Sequence, residues 1–337
     1  MKGGRVQYMS SRLDERNRKK RYKRKRRFAI ITSLSFLLLI GFIGYGKIGY
    51  ETARKHSIQT LEETSTIGRK TEQDPIIFQA EQQKKNEPIH ILLIGVDKPV
   101  GERSRTDTIM IAQYHPNYGT VKVASIMRDS YVKVPEYQDN KINASFFLGG
   151  PELLRRTIKE NFEIDLHYYA MVNFEGFERV VDTIAPQGVE INVEKRMVKS
   201  SMKMDFQPGT HIVHGKDVLK YVRFRDDSEN DFGRVRRQQE VLSILKDEVS
   251  TIRGVTKIPQ LFGSIEPYID TNMNTRKMLS LSKDFFLKPV GDIETITIPV
   301  EDSFTDKRYA HAGLVLELDI EKNKEALHEF FDFNRVE

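Results

Sequence analysis

The chain contains no cysteine. That absence excludes a disulfide framework, a thiolate metal site and nucleophilic cysteine chemistry, and it is compatible with either side of a membrane. Several site signatures are missing as well. Ile94-Gly95-Val96 follows an apolar run but lacks the GxGxxG spacing, and no GxSxG occurs. Gly209 to Asp217, GTHIVHGKD, has one residue too many before Gly-Lys for a P-loop, and Asp stands where Ser or Thr should meet Mg²⁺. His211 and His214 are three apart, but no third ligand sits at a recognisable spacing and the stretch reads as a turn. No internal repeat is visible. Long apolar runs are confined to one place, Phe28 to Gly46, FAIITSLSFLLLIGFIGYG, which carries no charge.

At about 1.5 Å per residue a helix over residues 28–46 covers the hydrocarbon thickness of a bilayer. A cleaved signal peptide would be shorter and followed by a small-x-small site, whereas this run leads into Lys47 and Tyr50, so a retained anchor is expected. Residues 1–27 hold 13 of the 54 Lys/Arg, nine of them between Arg18 and Arg27, against Asp14 and Glu15 only. The remainder has 41 bases and 46 acids and is mildly acidic. A basic tail beside an acidic body argues against a nucleic-acid-binding domain, whose footprint should lie on the folded surface. The excess of Lys/Arg before the span places the tail, 1–27, in the cytoplasm and everything after residue 46 outside the cell. Residues 47–87 are polar, rich in Glu, Gln, Lys and Thr, and are expected to form a partly helical stalk.

From residue 88 to 337 the pattern predicts one domain. IHILLIGV (89–96), TIMIAQYH (108–115) and TVKVASI (120–126) read as strands, the last two joined by a turn at Asn117-Tyr118-Gly119. PELLRRTIKENF (151–162) opens with Pro and has helical spacing. A strand at 168–174, a helix at 174–184 and a strand at 188–193 follow. Helices are expected at 216–223, 233–250, 275–287 and 321–332, with strands at 293–299 and 314–319. Hairpin strands mixed with crossover helices imply an α/β fold, a mixed β-sheet flanked by helices on both faces.

The residues with chemical potential are Arg and Asp at element ends. Asp97 ends one strand, Arg103, Arg105 and Asp107 precede the next, and Arg128-Asp129 follow the third. RFRDDSENDFGRVRRQQ then packs five arginines, four acids and two glutamines into seventeen residues. Loops at strand ends are where α/β sheets bind ligands, although any one of these charges taken singly is a solvated surface residue. The helix after Gly233 decides between the two readings. Arg234 and Gln238 share a face with Val241 and Leu245, and polar groups in line with a core stripe need partners. An anionic ligand supplies them, because guanidinium forks match phosphate oxygens. Asp97 and Asp107 among them would either hold a Mg²⁺ that bridges phosphates or aim an arginine. Arg223 and Arg225 converge only if the helix from Lys216 ends near Arg223 and the chain then extends.

The ordered segments HILLIGVD, RTDT, MRD, KINASF, GKDVLKYVRFR and DFGRVRRQQ resemble the LytR-CpsA-Psr family of cell-wall glycopolymer phosphotransferases, over roughly residues 88–250 as motif. The resemblance implies attachment of an anionic polymer, such as wall teichoic acid, from an undecaprenyl-pyrophosphate carrier to peptidoglycan at the surface of a Gram-positive bacterium. By motif position Asp97 and Asp107 resemble the carboxylates associated with Mg²⁺ (or Mn²⁺). Arg105, Arg128, Arg223, Arg225, Arg234 and Gln238 resemble the pyrophosphate-binding set, and Lys141 lies in the matching KINA segment. Met127, Val218 and Lys98 depart from the usual Pro, Ala and Ser. None removes a proposed ligand. The chemistry implied is phosphoryl transfer with Arg128 among the catalytic groups and Asp107 or Asp231 as proton acceptor. Phe146, Phe147 and Phe174 are candidates for a prenyl groove, with core packing as their alternative. A lipid-pyrophosphate hydrolase, or a binding module without turnover, would use the same site. A membrane-anchored transcriptional regulator is the rival of a different class, weakened because basic residues abutting a span are the ordinary topogenic arrangement.

Overall fold

In the computed structural model the described residues are 44, 46–61, 76–80, 83, 87–97, 104, 106–251, 258–287 and 291–332. The expected cytoplasmic tail and nearly all of the expected span lie outside them. Among the described residues no helix is long and apolar enough to cross a membrane. Residues 47–61 of the expected stalk belong to helix α1 (46–61).

Strict alternation builds the central sheet. Along β1 (Ile89–Val96) the side chains of Leu92, Ile94 and Val96 are buried, while Ile91, Leu93 and Gly95 on the opposite face are only partly covered. β1 pairs antiparallel with β2 (Thr106–His115), and β2 with β3 (Thr120–Ile126). The predicted turn closes this hairpin, with Gly119 at φ 68° and its N–H bonded to the His115 carbonyl at 2.8 Å. After β4 (Ser130–Val132) and β5 (Asn140–Lys141) comes helix α2 (Ile142–Phe162), then β6 (Tyr168–Asn173), which lies parallel to β1.

Helix α3 (Phe174–Ile184) starts at once, capped by Asn173 Oδ1, which accepts from the Gly176 N–H at 2.7 Å. The chain continues through β7 (Val189–Val193), β8 (Met197–Lys199), β9 (Met204–Phe206), β10 (Gly209–Val213) and α4 (Gly215–Arg223). α5 (Asn230–Thr251), α6 (Ile258–Ile265), β11 (Asp270–Thr271) and α7 (Thr275–Leu287) follow. Last come β12 (Glu294–Ile298), β13 (Phe304–Tyr309), β14 (Gly313–Leu318) and α8 (Ile320–Phe330).

The main sheet has the order β11-β6-β1-β2-β3-β12. One face packs Leu92, Ile94, Ile109, Ile111 and Ala124 against Leu154, Ile158 and Phe162 of α2 and Leu327 of α8. α5 crosses the other face, where Gln239 Nε2 donates to Ser125 Oγ at 2.9 Å. A second core joins α3, α4 and α5 to β7 and β10 through Val181, Val189, Ile191, Val218 and Val241. The expected mixed sheet with helices on both faces is the observed architecture.

Three local readings change. Gly209–Val213, read as a turn, is strand β10, because Thr210, Ile212 and Val213 find a partner in β7. That places His211 on a strand, beside the Gln207 carbonyl at 2.7 Å, and His214 at the start of α4. Helix α2 begins nine residues before the predicted Pro151 and is broken at Gly149-Gly150, with Gly150 at φ 63°. A second sheet, β13-β14-β4-β5, uses strands of two to six residues that the pattern does not reveal apart from β14.

Candidate active site

β6, β1, β3 and β12 all run the same way, so their C-terminal ends meet at one edge of the sheet, where β2 begins. The edge beyond strand C-termini is the usual ligand position in such folds. At this edge Gly95 pairs with Thr108 and Val96 with Thr106, which leaves Asp107 as an extra residue in a β-bulge. Bulges re-aim side chains. Thr106 is buried, its hydroxyl 2.8 Å from the Gly95 and Thr108 carbonyls, while Asp107 turns out to the edge with about half its side chain exposed. Gly95 keeps room for Thr108, since a Cβ there would lie 3.0 Å from the Thr108 Cβ.

Arg128, just past β3, donates from Nη1 to Asp107 Oδ1 at 2.5 Å, and its Nε lies 3.2 Å from both Asp129 and Asp231. Lys141 Nζ is 2.7 Å from Asp129. Asp231, in the first turn of α5, also takes Arg234 Nη2 at 3.2 Å and faces Arg225 Nη1 at 3.7 Å. Four cations thus interlock with three carboxylates. Arg234 is 3 % exposed and its Nε is buried with no hydrogen-bond partner among the described residues. One turn on, Gln238 Nε2 donates to Thr108 Oγ1 at 3.0 Å, and the same helix face continues into buried Val241 and Leu245.

Burial and charge act against each other here. Burial pushes the Asp107 carboxyl upward, but the Arg128 bond and the charges of Arg128, Arg234 and Arg225 hold it below its ordinary value. Burial lowers Arg128 while Asp107, Asp231 and Asp129 raise it above the ordinary guanidinium value. For Arg234 burial wins, and its pKa falls. It remains a cation, because guanidinium groups do not deprotonate in proteins.

α4 ends at Arg223, and Phe224 is extended at φ −64°, ψ 139°. Phe224 is buried, so Arg223 and Arg225 both project outward on either side of it. The two part company there. Arg223 lies 4.0 Å over the ring of Phe174, and Arg225 turns to Asp231. Asp97 accepts from the Ser104 hydroxyl at 2.6 Å, and Arg105 lies outside the described residues. Arg236 and Arg237 do not join the cluster. Arg236 pairs with Glu229, and Arg237 bonds Asp227 at 2.7 Å and the Phe224 carbonyl at 2.6 Å.

Sequence reasoning named Asp129 among the charges at strand ends without giving it a role, and the structure shows it holding Arg128 and Lys141 in one place; it missed Thr108, the acceptor for Gln238. Asp129 carried a signal in its position beside Arg128 at a strand end; Thr108 carried none. Of the candidate groove aromatics, Phe146 is in the main core and Phe174 sits beneath Arg223. Phe147 is 39 % exposed. Among the described residues no group of three or more His, Cys, Asp or Glu is arranged to hold a metal ion.

A mixed sheet with a basic, carboxylate-braced edge defines a class, and the comparison with known proteins gives it a name: residues 50–329 match the LytR_cpsA_psr family, and the chain belongs to it. It is 41 % identical over 249 residues to Regulatory protein MsrR of Staphylococcus aureus, covering 74 % of this chain and 76 % of that one. It is 29 % identical over 286 residues to the polyisoprenyl-teichoic acid–peptidoglycan teichoic acid transferase TagU of Oceanobacillus iheyensis, covering 82 % and 86 %. The crystal structure of Bacillus subtilis TagV superposes with a TM-score of 0.63 at 26 % identity, over 74 % of this chain and 99 % of that one.

Proposed function

We propose that this chain is a membrane-anchored phosphotransferase that moves an anionic glycopolymer, such as wall teichoic acid, from an undecaprenyl-pyrophosphate carrier to peptidoglycan outside a Gram-positive cell. One observation carries the reading: Arg128, Arg225 and Arg234 converge on the Asp231 carboxylate at the first turn of α5. A point that draws three guanidinium groups, at the positive end of a helix, has the donors and field for phosphate oxygens. The name of the relative TagU supports the polymer and the acceptor. The relative named as a regulatory protein aligns with this chain over 249 residues that include the edge, and such an edge suits an anion better than it suits base readout.

The arginines would grip the pyrophosphate while an acceptor hydroxyl attacks the phosphorus nearer the glycopolymer. The bond from that phosphorus to the bridging oxygen breaks, and undecaprenyl phosphate leaves. Asp231 has both oxygens engaged by arginines, so its role is to aim them. Asp107 bonds Arg128 through Oδ1, which leaves its other oxygen for one of two competing roles, accepting the proton of the attacking hydroxyl or holding a metal ion. Arg223, Lys141 and Gln238 complete the phosphate-binding set, with Arg105 as a further candidate.

Of the two carboxylates, Asp97 follows Val96 at the end of β1 and Asp107 follows Thr106 at the start of β2, and Val96 and Thr106 are paired. That set fits Mg²⁺ or Mn²⁺, which are held by one or two carboxylates plus substrate phosphates. Bound there, the ion would neutralise phosphate charge. For the prenyl chain we propose the half-covered sheet face of Ile91, Leu93, Ala112, Ala170 and Val172.

The test is transfer by the full chain in membrane vesicles supplied with lipid-pyrophosphate-linked polymer and peptidoglycan. Wild type should form the joined product, and Asp107→Ala should lose metal-dependent transfer with its melting temperature nearly unchanged. Hydrolysis without a joined product would favour the hydrolase. Unchanged turnover and metal dependence in the variant would remove Asp107 from the mechanism.

A further inference from the structure

The groove between α5 and β12–β13 has no part in the site above. It starts at Phe232, the residue after Asp231, and runs past Pro299 to Phe304 and Thr295. Phe232 and Phe304 stand 5.8 Å apart with their rings inclined by 35°, and Phe232 is 39 % exposed. The remaining wall mixes apolar Ile296 and Val300 with polar Thr295, Thr297, Glu301 and Asp302.

We propose that this groove binds the sugar strand of the acceptor, an inference that rests on the transferase reading. Three observations support it. Sheet order places β6 and β1, with the apolar face assigned to the prenyl chain, on one flank of the phosphate pocket and β12 on the other. In-line displacement at phosphorus needs the attacking hydroxyl and the departing phosphate on opposite sides, and these flanks supply that. A pyranose has apolar C–H faces and a hydroxyl rim; the phenyl rings match the first, and threonine hydroxyls and carboxylates match the second. The charge is selective too. Glu301 and Asp302, both exposed, repel an anionic polymer, so the donor's own chain is disfavoured in this groove, whereas a hydroxyl-rich strand is not.

The experiment measures two affinities of the full chain in detergent micelles, each without the other substrate. The probes are soluble undecorated peptidoglycan oligosaccharides and a lipid-pyrophosphate-linked polymer. Phe304→Ala removes a ring, and Thr295→Trp fills the groove from an exposed position without taking anything from the core. Both should weaken oligosaccharide binding at least tenfold and leave donor affinity within about twofold. Absence of oligosaccharide binding by wild type, wild-type binding in both variants, or equal loss of donor affinity would overturn the groove. Failure of the transferase reading shows separately in the vesicle transfer assay, as donor bound by wild type with no joined product.

Discussion

Asp231 and Asp129 organise the site, and neither works alone. Each guanidinium around Asp231 loses hydration on burial and recovers it from a carboxylate, which fixes the fork before any ligand arrives. Arg225 is the most exposed of the three, with 45 % of its side chain accessible, and its 3.7 Å approach to Asp231 is the loosest. Its loss should therefore cost binding and not stability. Charge-assisted bonds to phosphate are worth about 1.5 to 3 kcal/mol, so Arg225→Ala should weaken lipid-pyrophosphate affinity by roughly ten- to a hundredfold. Arg225→Lys should restore only part of this, since an ammonium keeps the charge but not the two-pronged geometry. Melting temperature should hardly move. Wild-type affinity in Arg225→Ala together with a large drop in melting temperature would make this arginine structural.

At the scale of elements, the break in α2 carries a test of backbone chemistry. Gly150 adopts φ 63° and ψ −157°, and a Cβ there would meet nothing within 4 Å. The cost of Gly150→Ala is then conformational, on the order of 1 to 2 kcal/mol, with no steric part. Urea denaturation should show the midpoint falling with the slope unchanged; an unaltered midpoint would mean that the break is not held rigidly. α1 shows how an element outside the core is secured. Its Arg54 Nε donates to Glu266 at 2.6 Å, and its Ser57 hydroxyl to the Ser264 carbonyl at 3.0 Å. Gly263 lets the helices touch, since a Cβ there would stand 2.3 Å from the Tyr50 carbonyl oxygen.

For the molecule as a whole, two measurements follow. His90, buried where β1 meets β2, lies 3.1 Å from Gln113 Nε2 and stacks on His167 at 5.7 Å. Burial first, and the neighbouring His167 second, push its pKa down to about 3, against some relief from Asp165. The folded state therefore binds fewer protons than the unfolded one between that value and the ordinary histidine value. Stability is complete above pH 6.5 and lost as pH falls, by about 2 kcal/mol between pH 6.5 and 5 from this group. Melting temperature should fall over that interval in wild type and less steeply in His90→Gln; equal slopes would assign the acid sensitivity elsewhere. Topology is the second. With cysteines placed at Ser11 or Thr64 in this otherwise cysteine-free chain, an impermeant thiol reagent on intact cells should label position 64 alone. Labelling at 11 would invert the orientation.

Local pattern was enough for the long strands and helices, because alternation and helical spacing are written into consecutive residues, as in Leu92, Ile94 and Val96. It was also enough to put Arg234 and Gln238 on one helix face with Val241 and Leu245, whereas the meeting of Arg128, Arg225 and Arg234 at Asp231 needed the folded chain. Tertiary structure alone decided the rest. The short strand β4 exists only through pairing with β14, whose residues lie far along the chain, and β5 only through pairing with β4. The bulge that turns Asp107 outward depends on the register of β1 against β2. Five similar arginines between residues 223 and 237 were sorted by which carboxylate, carbonyl or ring lay within reach. Those distances are fixed by packing, and spacing along the sequence does not encode them.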